Sequence, residues 1–204
     1  MVHILDYGVG NIQAFINMYK RLGVECMRCK NPDNLLGATH IILPGVGSFD
    51  HAMNRFLESG LKDKVEELVF EHQIPLLGIC VGMQMLASSS EEGELPGLGW
   101  VPGRVKSFKG ALPEQDLPLP HMGWNDVEIA NNSPIFKEFD MEPHFYFLHS
   151  YFFECSDQES RLASAKYGLE FDCIVSSGNV YGIQCHPEKS HQYGAMFLKN
   201  FSEL

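Results

Sequence analysis

Apolar positions follow two different rhythms along this chain. In the first half, short solid runs alternate with stretches in which apolar residues recur every three or four positions. The runs VHILD (2–6), VECMRC (24–29), THIILPG (39–45) and IPLLGI (74–79) predict strands, the last of them apolar throughout, as in a strand covered on both faces of a parallel sheet. Between them, GNIQAFINMYKRLG (10–23) places Ile12, Phe15, Ile16 and Tyr19 on one helical face, with Asn11 as N-cap and Gly23 just past the end. SFDHAMNRFLESG (48–60) and LKDKVEELVFEH (61–72) read as helices divided at Gly60. This is a βαβ progression and predicts an α/β fold.

The second half changes rhythm. Segments 99–109, 121–129, 144–155, 161–168, 170–178 and 179–186 read as strands separated by turn signals, and only 190–204 reads as a helix. The stretch 88–99, SSSEEGELPGLG, is expected to be a surface loop with solvated charges. ALPEQDLPLP (111–120) is expected to be the least ordered internal loop. No linker, repeat or low-complexity tract divides 1–204, which implies one domain.

Composition narrows the class. Apolar residues are 45% and charged residues 20%, ordinary for a soluble globular protein. A net charge of -11 argues against nucleic-acid binding, which needs a Lys/Arg surface. No apolar run is long enough for a membrane span, and MVHILDYG reads as a first strand, not a signal peptide. The six scattered cysteines suit a reducing cytoplasm. Cys26 and Cys29 form a CxxC, but three residues apart on a strand they face opposite ways, so no metal role is expected. Cys155, Cys173 and Cys185 sit in apolar stretches and read as core.

Cys80 is different. It lies in Gly78-Ile79-Cys80-Val81-Gly82, at the end of the solid apolar run and the start of a helix-like stretch. A tight strand-to-helix turn leaves no room for neighbouring Cβ atoms and exposes the sulfur, the cysteine counterpart of a Gly-x-Ser-x-Gly elbow. The helix N-terminus favours a thiolate, and the Val81 N–H is placed to receive an oxyanion. A nucleophile of this kind needs a base and an orienting group. GIQCHPEKS offers both, with His186 after a strand, Pro187 stiffening the backbone and Glu188 in local reach of the imidazole. A third element, Pro44-Gly45-Val46-Gly47, ends another strand, and its glycines let an N–H of Val46 or Gly47 swing toward the same pocket as a second oxyanion donor.

Taken together, these three elements resemble the class I, triad-type glutamine amidotransferases. LDYGVGNI, PGVGSF, GICVGMQML, GLGWVPGRV, PHMGWND, YFLHSY and HPEKS follow the order found in the glutaminase subunits of imidazole glycerol phosphate synthases, over nearly the whole chain. The resemblance implies a flavodoxin-like three-layer α/β/α fold, its central sheet mixed but largely parallel, with an added antiparallel region. It implies that Cys80 attacks the side-chain amide of L-glutamine, that His186 serves as base and then acid, and that Glu188 holds the imidazole. Val46, Gly47 and Val81 would form the oxyanion hole, and Gly45, Gln84, Ser150 and Tyr151 the glutamine pocket. His121 to Asn125, with Met122, Trp124 and Asn125 foremost, together with Asn11, Tyr146 and Lys189, match interface and ammonia-gating positions against a (β/α)8-barrel synthase subunit. No metal or organic cofactor is implied.

Two features leave the ammonia acceptor open. Cys185 stands where the family more often has an aromatic residue. The stretches around 88–100, 111–125 and 189–194 also resemble a subgroup that feeds an amino-sugar-modifying synthetase in surface-polysaccharide synthesis. An inactive docking scaffold is the third reading, and the intact Cys80, His186 and Glu188 argue against it.

Overall fold

The computed structural model describes residues 1–112, 117–139 and 143–204. The chain runs β1 (Val2–Leu5), α1 (Ile12–Arg21), β2 (Cys26–Cys29), β3 (His40–Gly45), α2 (Phe49–Glu58), α3 (Lys62–Glu66), β4 (Leu76–Cys80) and α4 (Val81–Met85). There follow β5 (Gly103–Ser107), α5 (Phe108–Ala111), β6 (His121–Asp126), β7 (Glu128–Ile129), β8 (His144–His149) and β9 (Tyr151–Cys155). The chain closes with β10 (Arg161–Tyr167), β11 (Leu169–Ser177), β12 (Val180–Ile183) and α6 (His191–Phe201).

The main sheet is ordered β2-β1-β3-β4-β12-β11-β10-β7, parallel from β2 to β12 and antiparallel beyond, with β9 joining β11 to β5. Helices cover both sides, giving the mixed, flavodoxin-like α/β architecture; α1 packs against α6, and α2 against α4. Strands β1, β3 and β4 are buried along their whole length, which is why they read as unbroken apolar runs.

Local chemistry fixes the element ends. The Asn11 side chain accepts from the Ala14 N–H at 3.2 Å and caps α1, and Gly23 follows it at φ +69°. The buried face of α1 is Ile12, Phe15, Met18 and Tyr19, and Ile16 packs against the core from a partly buried position. The break between α2 and α3 falls at Gly60, φ +70°, and α3 runs on into a π-helical turn, Glu67–Glu71.

Three expectations need correction. The segment 144–155 is two strands in two sheets. β8 pairs with β6 in a separate hairpin-like sheet, and β9 pairs with β5 and β11. The burial pattern explains the division: Phe145, Phe147 and His149 alternate inward, then Phe152 and Phe153 are buried in succession, a slip in phase that marks the change of sheet. Segment 121–129 is likewise divided at Val127, with β7 moving to the edge of the main sheet on β10. In loop 88–99 the charges are not merely solvated: Glu92 accepts from the Phe49 N–H at 2.9 Å and Glu91 from the Ser107 N–H at 2.8 Å, the first amides of α2 and the last of β5. Of the loop at 111–120, residues 113–116 lie outside the described residues. Among the described residues no helix is long and apolar enough to cross a membrane.

The parallel strands converge at one crowded point. A Cβ on Gly82 would overlap the Leu43 carbonyl oxygen, and one on Gly78 would stand 2.6 Å from the Gly82 oxygen. Gly82→Ala should therefore destabilise the fold by about 2–3 kcal/mol, read as a lowered urea midpoint, because backbone and not a flexible side chain must give way. An unchanged midpoint would show that the turn has slack.

Candidate active site

Strand β4 delivers Cys80 into a turn at φ +56°, ψ -116°, a conformation costly for a residue with a side chain and tolerated here because packing on both sides determines it. Gly78 and Gly82 are glycines for the reason just given: the α4 backbone lies directly on β3 and β4. Cys80 thus stands at the carboxyl end of the sheet at the base of a cavity of about 330 Å³.

His186 follows β12, the strand paired beside β4. Its Nδ1 meets Glu188 Oε1 at 2.9 Å, and both side chains are buried. The loop is held from β8: the His186 N–H donates to the Tyr146 carbonyl at 2.9 Å, while Ser190 Oγ accepts from the Tyr146 N–H at 3.0 Å and donates to the His186 carbonyl at 2.6 Å. Burial opposes a charged imidazole. Hydrogen bonds to Cys80 and Glu188 outweigh it and raise the His186 pKa to about 10. His186 is an imidazolium at neutral pH.

Val46, Gly47, Val81, Gln84, Ser150, Tyr151 and Lys189 line the cavity with Cys80 and His186. Gly47 has φ +84° and open space where a Cβ would stand. Gly45 is set back from the cavity, pressed against the Gly82 backbone. Glu188 sits behind His186. Asn11, Met122, Trp124, Asn125 and Tyr146 lie away from the cavity lining. Trp124 is 41% exposed and Met122 66%, both on the outer face of β6. Trp124 is not core: its ring lies between His144 and His191, nearly parallel to both, with centroids at 5.4 and 5.1 Å. Lys189 Nζ lies 5.7 Å over the Tyr146 ring. His121 is buried, and Asn125 is half-buried with its amide donating to the Lys166 carbonyl.

Several cavity residues had no sequence signal. Glu92, from the loop read as solvated, lines the cavity, and burial raises its pKa against the hydrogen bond from Phe49. Gln184 bridges the site: its Oε1 accepts from Gln84 Nε2 at 2.9 Å and its Nε2 faces Cys80 Sγ at 3.8 Å. Tyr7 is buried behind the loop at 44–47, its hydroxyl donating to the Pro44 carbonyl just where β1 has ceased to pair with β3. His149 lines the cavity too, and its neighbours are described below.

A buried cysteine on a strand-to-helix elbow, beside a carboxylate-held imidazolium, supplies the groups that thiol-dependent acyl transfer requires. Residues 3–203 match the family model for class-I glutamine amidotransferases, and the chain belongs to that family. Among curated relatives, the imidazole glycerol phosphate synthase subunit HisH of Bdellovibrio bacteriovorus is 58% identical over 204 residues, covering all of both chains. The subunit of the same name from Leptospira borgpetersenii is 48% identical, again over all of both chains. That called HisH 2 from Pseudomonas aeruginosa is 42% identical over the same span. A crystal structure of a glutamine amidotransferase aligns with TM-score 0.74 at 23% identity over 98% of each chain. PurLQS from Thermotoga maritima aligns at 0.76 and 16% identity, over 99% of this chain and 97% of that one. These two likenesses bear on the fold.

The raised His186 pKa sets a stability window. The charged imidazole stabilises the fold fully below its unfolded value of about 6.5, and that contribution is lost as pH rises through about 10. The gap in urea midpoint between wild type and Glu188→Gln should be widest near and just below pH 6.5 and close as pH rises through about 10. A gap independent of pH would contradict a charged His186.

Proposed function

We propose that the chain is the glutaminase subunit of an imidazole glycerol phosphate synthase, with 1–204 acting as one domain. The observation that carries this reading is Cys80 on its positive-φ elbow beside a carboxylate-held imidazolium, in a chain 58% identical end to end to a subunit of that name. L-Glutamine enters the cavity, and the Cys80 sulfur, hydrogen-bonded to His186, attacks the side-chain amide carbon. The N–H groups of Val81 and of the Val46–Gly47 segment receive the oxyanion. His186 passes its proton to the leaving ammonia, and a γ-glutamyl thioester remains on Cys80. Water, deprotonated by His186, then releases glutamate. Glu188 orients the imidazole throughout.

Gln84, Ser150, Tyr151 and Glu92 bind the amino-acid end of the substrate. The Gln84 amide nitrogen is spent on Tyr151 and Gln184, so its carbonyl oxygen is left for the ligand. A carboxylate at Glu92 suits an α-ammonium group.

The ammonia passes to a (β/α)8-barrel synthase subunit that makes imidazole glycerol phosphate and AICAR. Direct transfer matters because ammonia released to neutral water protonates and loses its nucleophilicity. The docking surface is the outer face of β6 and its surroundings: Met122, the stacked Trp124, Tyr146 with Lys189, and Asn11 at the start of α1. An exposed aromatic already held rigid between two rings loses little entropy on binding and suits an interface anchor. The six cysteines, none in a disulfide, fit a cytoplasmic enzyme.

Two substitutions separate chemistry from docking. Cys80→Ala should lower glutamate release by at least about 10⁴-fold while the complex still forms. Trp124→Ala should weaken association with the barrel subunit roughly tenfold or more, with the melting temperature of the isolated chain unchanged. Turnover near wild type in the first would remove Cys80 from the mechanism. An unchanged dissociation constant in the second would remove Trp124 from the interface.

A further inference from the structure

Behind the cavity, two histidines are buried in contact. His121 begins β6 and His149 ends β8, and the two are register partners. His149 Nδ1 lies 2.7 Å from the Tyr151 carbonyl, His121 Nδ1 lies 2.9 Å from His149 Nε2, and Asn125 Nδ2 lies 3.3 Å from His121 Nε2. The Asn125 amide also donates to the Lys166 carbonyl at 2.9 Å, and its oxygen accepts from the Asp126 N–H, which fixes its orientation.

These partners leave one protonation pattern. A carbonyl only accepts, so His149 carries its hydrogen on Nδ1. Its Nε2 is then a lone pair and needs a donor, so His121 also carries hydrogen on Nδ1. His121 Nε2 in turn accepts from Asn125. A second proton on His149 would set N–H against N–H, and one on His121 would oppose the Asn125 donor. The surroundings reinforce this. His121 stacks on Tyr167 at 4.1 Å and on Phe147 at 5.0 Å, with Phe108 and Phe171 edge-on. The titratable groups facing the pair include Tyr167 and, toward the cavity, His186. Burial depresses both imidazoles, His121 to about 4 and His149 to about 3.

The Tyr151 carbonyl that closes this relay also accepts from Gln84 Nε2 at 3.2 Å, and the Ser150 carbonyl accepts from the Phe108 N–H at 3.2 Å. Both peptides of the 150–151 segment are thus fixed from behind. We propose that His121 and His149 are a neutral positioning pair that holds the Ser150–Tyr151 segment and the Gln84 amide in register for glutamine, tying them to the β6–β8 hairpin that bears Trp124. The inference rests on the glutaminase reading and adds to it two residues acting on substrate affinity, not on the bond-breaking step.

The test joins a spectroscopic readout to a kinetic one. In chain labelled with nitrogen-15 histidine, both rings should show the neutral Nδ1–H pattern and stay unchanged from about pH 5 to 9, the window in which ordinary histidines titrate. The His121 signals are assigned by their loss in His121→Asn. In the complex with the barrel subunit, His121→Phe keeps the stacked ring and removes both nitrogens. It should raise KM for glutamine roughly tenfold, with kcat within about threefold. His121→Asn, which restores a donor toward His149, should recover most of the affinity. A ring that titrates in that window, or an unchanged KM in folded His121→Phe alongside an active wild type, overturns the inference alone. Absence of glutaminase activity in the wild-type complex overturns the underlying reading and the inference with it.

Discussion

Everything at this site depends on how closely α4 lies on the ends of β3 and β4. The Gly82 backbone meets the Leu43 carbonyl, and the Gly78 and Gly45 backbones meet Gly82 in return. No side chain fits between them. The contact bends the chain sharply at Cys80 and holds its φ at +56° at the carboxyl end of β4. The same contact sets the Pro44–Gly47 segment beside the first amides of α4.

Three histidines within this region show how neighbours decide chemistry. His186 is buried, yet a carboxylate and a sulfur face its two nitrogens, and it holds a proton to about pH 10. His121 and His149 are buried among aromatic rings and face a carbonyl, an amide and each other, and both are neutral across the physiological range. Burial alone pushes all three the same way. The partners of each ring, and not its burial, separate the charged His186 from the two neutral imidazoles.

Much of this was legible in the sequence, and for physical reasons. Solid apolar runs revealed β1, β3 and β4 because parallel strands bury both faces, and Gly78-Ile79-Cys80-Val81-Gly82 revealed the elbow because only glycine fits beside it. The Cys80–His186–Glu188 arrangement followed from chemical need, and the finer pocket and interface roles from resemblance alone. What was not legible depends on long-range pairing. Segment 144–155 reads as one strand because alternation continues to His149, and its change of sheet appears only as two successive buried phenylalanines. Glu92 and Gln184 are ordinary polar residues until folding brings Phe49 and Cys80 beside them. His149 reads as one more alternating position until its ring meets His121, which is 28 residues away.

The account stands or falls on whether this cavity hydrolyses glutamine on a partner's signal. The most direct measurement is glutamate release from glutamine by three samples: the chain alone, the chain with the histidine-pathway barrel subunit of the same organism, and that complex with the barrel's nucleotide ligand. The account predicts slow release from the chain alone and a rise on the order of 100-fold in the ligand-loaded complex. The same slow rate in all three, from a folded chain whose Cys80 is alkylated readily, would contradict it and point to the amino-sugar synthetase as the partner.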